Sequence, residues 1–107
     1  MNPRTRAIML GLALLFIGAP AIAQEGTLIG EGKKLFTDQG CYGCHTVGKT
    51  GTLIGPDLSR VGFKYSERYL QQWLRDPSVQ KPTAHMPRIA LPEAEVRALA
   101  AYLASLK

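Results

Sequence analysis

Cys41-Tyr42-Gly43-Cys44-His45 is the stretch on which the reading of this chain turns. Two thiols three positions apart, with an imidazole directly after the second, form the pattern that attaches haem covalently. The thiols reach both vinyl groups and the histidine turns toward the iron. Three other uses of the same residues compete with it. A structural zinc site needs four ligands, and beyond this trio the chain offers only His85 as another Cys or His. A thioredoxin-like redox pair sits between a strand and a helix, in a βαβ pattern that this sequence lacks. A plain disulfide suits an exported chain but leaves the adjacent histidine without a role. Haem c, one group per chain and covalently held, accounts for the whole motif.

Upstream of the motif, residues 1–23 have the three parts of a signal peptide. Arg4 and Arg6 come with no acid, the run Ala7 to Ala23 is uncharged, and Ala21-Ile22-Ala23 offers small residues to a signal peptidase before Gln24. Thr5 separates the two arginines, so the general secretory route to the periplasm is expected and not the twin-arginine one. The competing reading is a retained anchor. Uncharged sequence from Ala7 to Gln24 sits at the lower limit for crossing a bilayer, which takes roughly 20 residues. Residues 24–107 remain as one small domain, too short for a multidomain enzyme. Over the whole chain 13 Lys and Arg face 8 Asp and Glu, spread without blocks of like charge, so no nucleic-acid-binding tail is indicated. A domain of this size often depends on a staple such as a bound group.

Downstream and upstream patterning predicts an all-α fold. Gly26 to Gly32 reads as loose, with Thr27 as a cap. Leu28, Ile29, Leu35 and Phe36 recur at sevenfold spacing and share one face of a first helix ending before Gly40. From Thr46 to Gly62 the chain is rich in Gly, Thr and Pro and reads as an ordered loop. Ser66 opens a second helix, SERYLQQWLRD, with Tyr69 and Trp73, then Leu70 and Leu74, paired at four-residue spacing; Asp76-Pro77 closes it. Pro77, Pro82 and Pro87 punctuate a second loop. Pro92 then starts a third helix, with Glu93 and Glu95 near its positive end and Val96, Leu99, Leu103 and Leu106 on its apolar face. Three main helices and two long loops are therefore expected, with no strands or repeats. Loops this long in so small a domain need something held within them.

His45 would hold one face of the iron, and the second ligand decides function. Met86 leads: it lies in a proline-bounded loop, and the other methionines, Met1 and Met9, belong to the leader. A thioether is a neutral, soft ligand that favours ferrous iron and raises the reduction potential. Methionine also fills cores, but a core role is expected on a helix face. His85 competes for the same place, although its plain role is that of a solvated loop residue, and Lys81 competes at high pH. With both axial positions filled, iron passes single electrons and activates no small molecule.

In order along the chain, Cys41-Tyr42-Gly43-Cys44-His45, Gly55-Pro56-Asp57-Leu58, Met86-Pro87 and Leu99-Ala100-Ala101-Tyr102-Leu103 closely resemble the small monohaem class I c-type cytochromes of bacteria. The resemblance covers about residues 26 to 107. It implies the cytochrome c fold, wrapped around a covalently bound haem, with Gly32 and Phe36 of the first helix meeting Leu99 and Tyr102 of the last. It implies that Pro56 offers its carbonyl to the ring of His45, and that Trp73 lies beside the haem near a propionate. The haem site is then Cys41, Cys44, His45, Pro56, Trp73 and Met86, with His45 and Met86 on the metal. The dense ring of lysines found in many mitochondrial-type relatives is thinner here, with Lys33, Lys34, Lys49, Lys64, Lys81 and Arg88 as candidates.

What the resemblance implies in function is a monomeric periplasmic one-electron carrier, not an enzyme, cycling between ferric and ferrous states. A redox donor and acceptor would meet it at the exposed haem edge. Nucleic acid is not a partner, and a membrane is reached only through partners or a retained leader. The alternative is a haem c electron-transfer subunit of a larger oxidoreductase complex.

Overall fold

The computed structural model describes residues 21–107. The leader expected over 1–23 lies outside them except for Ala21 to Ala23. Helix α1 spans Ala21–Asp38, α2 Val61–Lys64, α3 Glu67–Arg75, α4 Pro77–Gln80 and α5 Glu93–Ser105. A single 3₁₀ turn covers Cys41–Gly43, and strands β1 (Thr46–Val47) and β2 (Thr50–Gly51) pair antiparallel. The three main helices are the expected ones, and the class is all-α.

The core forms where α1 crosses α5 and α3 leans on α5. Phe36, Leu70, Leu74, Val96, Leu99 and Leu103 are buried there in one cluster. Burying one such side chain fully contributes about 1.5–3 kcal/mol. Gly32 makes the crossing possible: a Cβ there would stand 2.6 Å from Tyr102 Cβ and run into the Ala98 carbonyl. Phe36 meets Tyr102 with ring centroids 5.7 Å apart and Tyr42 edge-on at 4.7 Å, so the motif's 3₁₀ turn is packed directly on the helix crossing.

Helix α3 starts as its sequence dictates. Ser66 Oγ accepts the Tyr69 N–H at 3.1 Å and satisfies a first-turn donor. Asp76 ends α3 and caps α4, accepting Ser78 N at 3.0 Å and Ser78 Oγ at 2.6 Å. Arg75 of α3 pairs with Glu93 in the first turn of α5, its Nε lying 3.1 Å from Oε1.

Three local expectations change. The first helix does not begin at Thr27 after a loose stretch. It runs from Ala21 straight through Gly26, Gly30 and Gly32, because the helix-forming Ala and Ile before Thr27 and the docking of Ile29 and Phe36 on the core outweigh about 1 kcal/mol lost per glycine. The loop expected over Thr46 to Gly62 contains a two-residue hairpin and the start of α2, so strands are present where none were expected. They are too short for alternation to register. The loop beyond Pro77 opens with α4. Among the described residues no helix is long and apolar enough to cross a membrane.

Candidate haem site

Cys41 opens the 3₁₀ turn and Cys44 follows it, its N–H returning to Cys41 O at 3.2 Å; His45 N bonds the same carbonyl at 3.0 Å. Gly40, at φ 74°, makes the left-handed turn that lets α1 end and this tight coil begin. Both thiols are free, Cys44 exposed and Cys41 half-buried. Burial pushes the Cys41 thiol up, which opposes the low-pKa thiolate a thiol–disulfide catalyst requires. Among the described residues no three His, Cys, Asp or Glu side chains converge to hold a bare metal ion.

His45 is gripped on both sides. Its Nδ1 lies 2.8 Å from Pro56 O. A carbonyl only accepts, so Nδ1 carries the hydrogen and Nε2 presents a lone pair. The Gly55 backbone lies flat against the ring: a Cβ there would be 2.7 Å from His45 Cε1 and 2.9 Å from Nδ1. Thr52 N donates to His45 O at 3.2 Å and Gly55 N to Cys44 O at 2.5 Å. Gly55 was absent from the residues expected to form the site, although its place before Pro56 was the available signal.

Met86 packs, half-buried, against the core cluster, and Trp73 Nε1 donates to its Sδ at 3.1 Å. Trp73 ends a ladder of stacked rings along α3: Tyr65 on Tyr69 at 4.5 Å and Tyr69 on Trp73 at 6.4 Å. His85 and Lys81 are exposed. The candidate residues thus fall into two assemblies, Cys41-Cys44-His45 with Pro56, and Trp73 with Met86. A depression of about 530 Å³ between Arg75, Arg88 and Leu91 belongs to neither.

With this geometry in hand, the decisive match is to the cytochrome c family model, which covers residues 29–107. The chain belongs to the cytochrome c family. Such a domain binds haem and transfers electrons between redox partners, and the donors found here suit that group: paired free thiols, an imidazole whose Nε2 is left free, and a thioether. The chain is also similar to cytochrome c oxidase subunit 2 of Alkalihalophilus pseudofirmus, 37% identical over 90 residues. That match covers 76% of this chain and 26% of the relative, so this cytochrome c domain spans about a quarter of that protein's length.

Proposed function

We propose that this cytochrome c is an exported periplasmic one-electron carrier. Cys41 and Cys44 hold the haem by thioether links, and His45 Nε2 and Met86 Sδ take its iron. The single observation that carries the reading is the His45 Nδ1–H bond to Pro56 O, which fixes the ring's tautomer and makes Nε2 a permanent donor. Bound haem supplies a one-electron couple between ferric and ferrous iron. The chain's own residues do the rest. The Trp73 N–H leaves one sulfur lone pair of Met86 for a metal and draws density from it. The buried face of Phe36, Leu74 and Leu99 provides a dry wall. Exposed Leu53 and Ile54 beside Gly55 give a redox partner an apolar surface close to His45.

A second reading, a haem domain working inside a larger oxidoreductase, is favoured by the similarity to an oxidase subunit. Chemistry at the iron is the same in both; permanence of association differs.

The test is an absorption spectrum of the purified ferric protein in the red and near infrared. A weak sulfur-to-iron charge-transfer band is expected and identifies Met86, since Met1 and Met9 lie in the leader. Its absence removes Met86 from the iron. N-terminal sequencing of the same sample checks export, with a start at Gln24 expected. Its native mass separates carrier from subunit.

A further inference from the structure

Two stretches of chain are joined at one constant offset. Gly55 N donates to Cys44 O at 2.5 Å, His45 Nδ1 to Pro56 O at 2.8 Å, Thr46 Oγ1 to Asp57 Oδ1 at 3.1 Å and Gly48 N to Ser59 Oγ at 2.7 Å. Each contact links a residue to the one eleven positions on, so segments 44–48 and 55–59 lie side by side in parallel register. The rung at His45 is the soft one, because it ends on a ring that can turn about its side-chain torsions. A backbone rung lies on one side of it and a carboxylate on the other.

That carboxylate is heavily used. Asp57 Oδ1 accepts Ser59 Oγ at 2.6 Å and Ser59 N at 3.0 Å as well as the Thr46 hydroxyl, and Ser59 Oγ in turn accepts Gly48 N. One oxygen therefore ties the chain just after His45 to the chain just after Pro56. The peptide plane between Pro56 and Asp57 contains the carbonyl that faces the imidazole. Proline has already fixed φ on one side of that plane, so the torsions left to swing the carbonyl are Pro56 ψ and Asp57 φ. Anchoring the Asp57 side chain across to Thr46 holds both.

We propose that Asp57 is the positioning residue of the His45 imidazole, holding the Pro56 carbonyl on Nδ1–H and so setting the basicity of Nε2. The proposal rests on the reading of His45 as the iron's imidazole. A strong acceptor on Nδ1–H pushes electron density onto the ring and favours ferric iron; a loosened one does so less.

The haem-loaded protein tests this through two readouts: the midpoint potential, which a merely structural role of Asp57 would leave in place, and solvent exchange of the His45 Nδ1 proton, followed by NMR, which also responds to opening of the loop. In Asp57→Ala the proton is expected to exchange at least tenfold faster and the potential to rise. Asp57→Asn, which keeps an amide oxygen for Thr46 and Ser59, is expected to return exchange to within about threefold of the wild type. A wild-type potential in Asp57→Ala, whatever its exchange rate, would overturn the proposal and leave the backbone rungs as sufficient. Should Asp57→Ala give no haem-loaded protein, Thr46→Val removes one donor to the same oxygen. Faster exchange with a raised potential there supports the proposal, and an unchanged potential overturns it. A wild-type protein with no iron-shifted imidazole N–H signal would overturn the reading of His45 itself, before any substitution is made.

Discussion

Trp73 Nε1 donates its hydrogen to Met86 Sδ across 3.1 Å, so helix α3 and the loop thirteen residues further on are joined at the thioether. The indole is in turn stacked beneath Tyr69, and Tyr69 beneath Tyr65. A donor on sulfur draws density away from it. Ferric iron needs that density more than ferrous iron does, so with Met86 on the iron, as proposed, the bond would favour the reduced state.

Trp73→Phe keeps an aromatic ring and removes the donor. Its midpoint potential is expected to fall by on the order of tens of millivolts, the equivalent of one hydrogen bond of about 0.5–1.5 kcal/mol in a one-electron couple. Redox titration checks it. The charge-transfer band should persist, because the sulfur remains.

Gly55→Ala introduces a Cβ at 2.7 Å from His45 Cε1, with the Cys44 carbonyl 3.2 Å away on the same side. The ring must turn off Pro56 or the loop must shift. The expected outcome is a lower yield of haem-loaded protein and a changed potential in what is recovered, measured by haem-to-protein absorbance ratio and titration.

At Gly32 the obstacle is another helix. A methyl group there meets the Ala98 carbonyl and Tyr102 Cβ, so Gly32→Ala forces α1 off α5 even though alanine is the better helix former. Destabilisation of about 1–3 kcal/mol is expected from overpacking, read from chemical denaturation. Equal stability would mean that the crossing yields more easily than its geometry indicates.

Acid should weaken the fold through Asp76. The Ser78 hydroxyl and then the Ser78 backbone N–H hold its carboxyl below the usual carboxylate range. A folded value below the unfolded one means that the unfolded chain binds more protons in that window. Stability from this cap is thus complete above about pH 4 and is lost as pH falls through the folded value. Asp76→Asn keeps an oxygen for Ser78 and cannot ionise. Its melting temperature should change less between pH 5 and pH 2.5 than the wild type's, by calorimetry at low salt.

Helices α3 and α5 were legible because their signals are local. Ser66 supplies a cap three residues before Tyr69, leucines recur at four-residue spacing, and Pro92 precedes two acids. The Cys41 to His45 motif, and with it the family, was legible because the motif lies within five consecutive residues. Helix α2 was not. It is four residues long and is fixed from a distance, with Gly62 N bonded to Leu106 O at 2.8 Å and no room for a Cβ beside Ala104. The start of α1 was misplaced because glycine content argues against a helix that docking then secures. The Trp73–Met86 bond could not be read either, since no spacing rule joins a helix to a loop thirteen residues on.

The parallel rungs from Cys44 to Ser59 also bear on what folding costs the chain. Every contact that steadies the imidazole closes a short loop, and short loops are the least costly in chain entropy. The Trp73–Met86 bond is nearly as local, but the α1–α5 crossing must bring together residues more than sixty positions apart. Closing those short loops costs the chain less entropy than bringing α1 onto α5, and it is the buried side chains of that crossing, not the exposed rungs, that offset the longer closure.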